Sequence, residues 1–139
     1  MSVQGEFHDL VRNTLKADSA VMALVTDVFD SVSDDPSRWG TKAAYISFGP
    51  ADVVDDDADC ITAGTHTLQL DCWSRKQGSY YCKLLVDAVK DALHEIEASL
   101  ADYGLVELRV IMRRAFADPD GLTWHGVVMV EAMIEERVL

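Results

Sequence analysis

The 139 residues carry twenty-four acidic against twelve basic side chains, a formal charge of −12, with 49% hydrophobic and 26% charged residues. Such a chain is too apolar to stay disordered and has the size of one domain, 1–139, around one core, while its charge disfavours attraction to nucleic-acid phosphates over most of its surface. No apolar run approaches the roughly 20 residues that span a bilayer, and the first six residues lack the basic and apolar regions of a signal peptide, so a cytosolic origin without a membrane partner is expected.

Along the chain, Phe7, Leu10, Val11, Leu15, Val21, Met22, Leu24 and Val25 keep a helical spacing that breaks at Ala17-Asp18-Ser19. This predicts a helix over 4–16 and a shorter one over 19–25, capped by Asp18 or Ser19. Val28-Phe29-Asp30 reads as a brief extended segment, and the Ser, Asp, Pro and Gly content of 31–40 as a loop holding Trp39. The aromatic and β-branched run 43–49 predicts a strand stopped by Gly49-Pro50. After it, 51–63 contains Asp52, Asp55, Asp56, Asp57 and Asp59 and is expected to be an exposed, mobile acidic loop.

From 65 to 73 the chain alternates: Leu68, Leu70 and Cys72 share one face, Thr67, Gln69, Asp71 and Trp73 the other. One buried and one wet or partner-facing side follow. Ser74 to Gly78 turns the chain, and Ser79 is placed to cap the next helix. Its stripe of Tyr81, Leu84, Leu85, Ala88, Val89, Ala92, Leu93 and Ile96 is expected to cover the sheet, with the helical region ending at Ala101-Asp102-Tyr103-Gly104.

Alternation resumes over 105–116, with Val106, Leu108, Val110 and Met112 opposed to Glu107, Arg109 and Arg113, and Ala117-Asp118-Pro119-Asp120-Gly121 signals a turn. A long strand over 124–138 closes the hairpin. It is apolar on both sides, with Trp124, Val128, Val130 and Ile134 opposed to Val127, Met129 and Met133, as suits a strand between layers or one that meets a partner. The order α, α, β, β, α, β, β predicts an α+β domain in which a long amphipathic helix and the N-terminal helices pack on a mainly antiparallel sheet.

The residues that could carry chemistry do not assemble into a signature. The acidic run invites a calcium reading, but counting Asp55 as the first ligand of an EF-hand loop puts Cys60 where Gly is needed and His66 where a bidentate Glu is needed. Cys60, Cys72 and Cys82 are odd in number without CxxC spacing, which argues for free thiols rather than disulfides or zinc. His8, His66, His94 and His125 are scattered, and no HExxH, GxSxG or Gly-rich phosphate loop is present. No catalytic residue, metal site or cofactor is expected. The three tryptophans, Trp39, Trp73 and Trp124, are either core pieces or interface anchors.

The run His66-Thr67-Leu68-Gln69-Leu70-Asp71-Cys72-Trp73-Ser74-Arg75, with Gly78 two residues beyond Lys76 and the helix Leu84-Leu85-Val86-Asp87-Ala88-Val89-Lys90-Asp91-Ala92-Leu93, resembles the tail terminator or tail completion proteins of long-tailed phages and gene transfer agents. Ala23-Leu24-Val25, Val28-Phe29-Asp30 and Asp120-Gly121-Leu122-Thr123-Trp124-His125 are similar to that family too. The sequence departs from it at Ala44-Tyr45, where members often have Pro-Tyr, and in the acidic stretch. The resemblance implies a non-enzymatic virion tail protein assembled in the bacterial cytoplasm. It also implies a homo-oligomeric ring, a hexamer, that caps the tail tube, contacts the tube protein and a head–tail connector or stopper, and lets DNA through its lumen without specific binding. Interface or lumen candidates are Asp55, Asp56, Asp57, Thr67, Gln69, Asp71, Trp73, Arg75, Glu107 and Arg109. The alternatives are a connector or stopper and, in a different class, a small divalent-metal hydrolase using the cluster from Asp52 to Asp59.

Overall fold

The structure, a computed structural model, describes residues 1–32, 34–58 and 60–137. Helix α1, Val3–Ala17, starts where Ser2 Oγ accepts the Gly5 N–H at 3.1 Å and buries Phe7, Val11 and Leu15, four residues apart. Asp18 leaves helical geometry and caps the single turn α2, Ser19–Met22, by accepting the Val21 N–H. This second helix is shorter than its apolar spacing implies: just beyond it the Thr26 N–H donates to Ala44 O, and side chains satisfy the carbonyls past the helix end. Lys42 Nζ donates to Met22 O at 2.6 Å, and the Tyr81 hydroxyl donates to Leu24 O at 2.6 Å.

Five strands follow: β1, Val28–Phe29; β2, Ala44–Asp55; β3, Ala63–Ser74; β4, Gly104–Ala117; and β5, Trp124–Glu135. They form one sheet in the order β1-β2-β3-β5-β4, antiparallel except for the short β1–β2 pairing. Helix α3, Tyr80–Leu93, carries the chain from β3 over β5 to β4, so β3 and β4 run parallel with β5 between them. The expected α+β architecture is thus present, with the helices on one face of the sheet. Their shared core joins Phe7, Val11 and Leu15 to Leu68, Leu70, Cys72, Leu85, Val89, Leu93, Val128, Val130 and Ile134. Each such large aliphatic contributes about 1.5–3 kcal/mol when withdrawn from water.

Four features differ from the pattern of the sequence. Gly49-Pro50 does not stop β2; the two residues form a bulge opposite Gln69, between the pairs Phe48↔Leu70 and Ala51↔Leu68. A bulge tolerates the missing proline N–H, and the glycine leaves room for the Asp71 carboxylate, which a Cβ at Gly49, 2.6 Å from Asp71 Oδ2, would force to shift. The strand therefore runs on through Asp52 to Asp55, and the expected loop over 51–63 shrinks to a hairpin connection in which Ala58 bridges Ile61 and Asp57 Oδ1 accepts the Ala63 N–H. Asp59, of the acidic run, and Val138, of the expected last strand, lie outside the described residues.

The second difference is α3 itself. Ser79 makes no side-chain cap, and the helix ends at Leu93 because His94 turns away to accept the Val110 N–H on Nδ1 at 3.0 Å, while the Glu95 N–H donates to Leu108 O. Third, Leu84 is not in the buried stripe. Cys82, Leu85, Val86, Val89 and Leu93 are, and Leu84, a rotation of ~100° from Leu85, is 43% exposed beside Leu24. Fourth, bulges in β4 after Leu105 and after Val110 break its alternation. Val106 is left exposed, Met112 moves to the face away from the helices, and Arg113 moves to the helix side, where Nη1 reaches Asp87 Oδ1 of α3 at 2.6 Å.

Gly126 of β5 fixes how closely α3 sits on the sheet. A Cβ there would meet Val86 Cγ1 at 2.5 Å and Cys82 Sγ and Cys72 Cβ at 3.1 Å. Gly126→Ala is expected to cost about 1–3 kcal/mol through overpacking, read as a fall in Tm of roughly 3–4 °C per kcal/mol at this chain length.

Candidate assembly surface

The face of the sheet opposite the helices is built from odd-numbered residues of β3 and β5 with their neighbours on β2 and β4. The register sets these residues in rows across the strands: Tyr45, Trp73, His125 and Phe116; then Ser47, Asp71, Val127 and Arg114; then Gln69, Met129 and Met112. Two further rows are Asp52, Thr67, Glu131 and Arg109, and Val54, Thr65, Met133 and Glu107.

The first row is an aromatic clamp. Trp39 packs edge-on to Tyr45 at 4.9 Å, Trp73 stacks on His125 at 3.9 Å and 16°, and Phe116 lies 4.8 Å from the same imidazole. Arg75 sits over Trp39 at 4.3 Å and Arg114 over Phe116 at 5.0 Å, so cations close both ends. Trp73 Nε1–H donates to Ser47 Oγ at 3.0 Å. Trp39 is therefore a core piece, while Trp73 and Trp124 are half-buried. Close to Arg75, the Thr123 hydroxyl and the backbone N–H groups of Leu122 and Thr123 hold the Asp120 carboxyl below the usual carboxylate range.

Asp71 does not present itself to solvent as its place on the strand implies. It is 8% exposed, with Oδ1 accepting Gln69 Nε2–H at 2.9 Å and lying 2.7 Å from His125 Nε2. Below it the surface changes character: half-buried Met129 and Met133 and exposed Met112 are interleaved with Thr67, Gln69 and Glu131, and Arg109 bridges Glu131 at 3.1 Å and Glu107 at 3.3 Å. Met side chains adapt to irregular partner surfaces, and such a mixed face suits docking rather than catalysis.

Of the residues singled out from the sequence, Thr67, Gln69, Asp71, Trp73, Glu107 and Arg109 come together on this face. Arg75 lies just beyond the end of β3, and Asp55, Asp56 and Asp57 lie at the opposite end, at the β2–β3 connection. Tyr45, His125, Met129, Glu131 and Met112 are the members that sequence reading did not select. The period of two along β5 could have supplied Met129 and Glu131; for Met112 the bulge erases the signal. Among the described residues no three His, Cys, Asp or Glu side chains converge as metal ligands, and no helix is long and apolar enough to cross a membrane.

A match to the family described as tail completion protein gp17 spans residues 9–135. The chain belongs to that family. Among solved structures, a chain of "Virion of native gene transfer agent (GTA) particle" is similar at 27% identity and a TM-score of 0.84, over 96% of this chain and 97% of the other. Comparison with curated proteins gives no match. As a tail completion protein, the chain is a structural component of a phage-type virion tail.

Two consequences can be measured. His125→Phe keeps an aromatic ring on Trp73 but removes the nitrogen beside Asp71, which is expected to cost about 1–3 kcal/mol; Asp71→Asn added to it should recover part of the lost Tm. Burial pushes the Cys72 thiol well above its ordinary range and Cys82 up to about 11, so few of either are thiolates at pH 8, whereas Cys60 is exposed. Alkylation at that pH should modify one thiol in the native protein and three after denaturation, counted by mass spectrometry.

Proposed function

We propose that the chain caps the tail tube as a ring of six copies, ends tube growth and supplies the surface on which the filled head docks. The observation that carries this reading is membership of the tail completion family over residues 9–135, by a chain whose three α-helices pack on one face of its sheet and leave most of the other face uncovered. Binding to the last tube ring competes with addition of another, so termination is a matter of interface complementarity and needs no reaction. The chain works as a structural protein, not as an enzyme.

The charge of −12 suits a conduit whose wall must not hold the polyanion sliding through it. In this reading Thr67, Gln69, Glu107 and Arg109 belong to the wall or to the contacts between copies, and Asp55, Asp56 and Asp57 add acidity at one rim. Asp71, enclosed by Gln69 and His125, acts by stiffening the wall rather than by facing DNA.

Disruption of the gene is expected to yield overlong tails without heads, seen by electron microscopy. Filled heads that lack tails and leak DNA would instead identify a stopper, and a ring with a basic lumen would overturn the account of the acidic charge.

A further inference from the structure

Strand β2 is longer than the strand that borders it. Val28 and Phe29 of β1 cover it only at Ile46 and Ser47, and the chain then turns away at Asp30, whose carboxylate lies 3.1 Å from His8 Nε2. Beyond the Gly49-Pro50 bulge, β2 runs from Ala51 to Asp55 with β3 on one side and, among the described residues, no strand on the other. The Asp56 N–H donates inward to Ala63 O, so alternation along the strand turns the N–H and C=O groups of Ala51, Val53 and Asp55 outward. No backbone partner takes them among the described residues.

This vacant lane has a cavity at one end and carboxylates along its length. The cavity, about 320 Å³, opens beside Ala51 between the first turns of α1 and the sheet, with Phe7, His8, His66 and Leu68 in its walls. Asp52, Asp55, Asp56 and Asp57 follow, all exposed and none with a cationic partner among the described residues. Charges on a strand edge keep like edges from pairing, and by the same repulsion they select a strand of opposite charge. A second copy has no such strand to give. Only β4, with three arginines against one glutamate, is net positive, and the segment after α3 lies along its outer edge on both sides of Arg109. There His94 Nδ1 accepts the Val110 N–H at 3.0 Å and the Glu95 N–H donates to Leu108 O. At −12 per chain, copies of this protein repel at such an edge, and the complementary strand is one from another protein of the particle.

We infer that the free edge of β2 from Ala51 to Asp55 is a strand-addition site for an extended, basic segment of a neighbouring tail or head protein. The main chain of that segment bonds to the outward groups of Ala51, Val53 and Asp55. On the helix side of the sheet, an apolar side chain level with Ala51 enters the cavity beside Phe7 and Leu68, while lysines or arginines stand against Asp52 and the run from Asp55 to Asp57. Backbone bonds supply the affinity, and the cavity and the carboxylates choose the partner. The proposal rests on the chain's place in the virion tail and is independent of the number of copies in a ring.

The test compares the full-length chain alone and in purified particles. By hydrogen–deuterium exchange, the amides of Ala51, Val53 and Asp55 should exchange about tenfold or more slowly in particles than in the isolated chain. Val53→Pro removes an outward N–H and leaves the inner ladder its bonds, so it should nearly preserve Tm yet cut the yield of head-joined tails about tenfold or more. Asp52→Lys combined with Asp55→Lys, both at exposed positions, should give the same loss through charge alone. Val54→Cys in a Cys60→Ser background, carrying a benzophenone maleimide, should crosslink on illumination to a segment of another particle protein that holds Lys or Arg, identified by mass spectrometry. Crosslinks to a second copy of this chain would overturn the choice of partner. Equal exchange in the two states, with full yield from both sets of variants, would overturn strand addition. Normal head-joined tails after disruption of the gene would instead overturn the proposed function on which the inference stands.

Discussion

The first turn of α3 rests on the sheet at a point where there is no side chain. Cys82 and Val86, four residues apart on the helix, straddle the bare Cα of Gly126, with Cys72 of the neighbouring strand beneath them. That close approach seats the crossover from β3 to β4, and the crossover decides the rest: β4 is carried past β5 to the sheet's end, its direction is set parallel to β3, and the three α-helices fall on one side. The opposite face is left to be structured by its own side chains. It uses ring stacking at one end and methionines among paired charges at the other, a gradient from rigid to adaptable along the strands.

The irregularities are concentrated where the sheet has an edge. The inner ladder of β3 with β5 runs without a break from Ala63↔Glu135 to Ser74↔Trp124, whereas β2 is bulged once and β4 twice. A bulge adds a residue on one strand and thereby exchanges the faces of all that follow. In β4 this puts Arg113 within reach of Asp87 on α3 and turns Met112 and Arg114 outward. The edge strands are thus individually shaped, while the inner strands supply the regular scaffold.

That division also explains what could be read from the sequence. The alternation of Leu68, Leu70 and Cys72 against Thr67, Gln69 and Asp71 maps directly onto the two faces because β3 is unbulged, and the stripe from Leu85 to Leu93 reports the covering helix. Gly49-Pro50 misleads because the same dipeptide serves a turn or a bulge, and only Gln69 opposite it decides which. The end of α3 was equally hidden: Ile96 continues the helical spacing, yet the imidazole of His94 is held by a backbone N–H of β4, a contact between residues sixteen apart. For the candidate surface, strand periodicity finds Thr67, Gln69 and Trp73. It cannot show that Asp71 is enclosed by His125, fifty-four residues away.

The two ends of the sheet are unlike. At the β2–β3 connection stand Asp55, Asp56 and Asp57, with Glu135 close by at the end of β5; at the far end, where β3 gives way to α3 and β4 turns into β5, stand Arg38, Lys42, Arg75 and Lys76 beside Asp118 and Asp120. The molecule therefore carries a charge dipole along its strands, strongly negative at one pole. Copies arranged side by side with strands aligned would add these dipoles rather than cancel them. The assembly would have an electrostatic polarity of its own, so that an approaching partner meets different fields on its two sides before any contact is made.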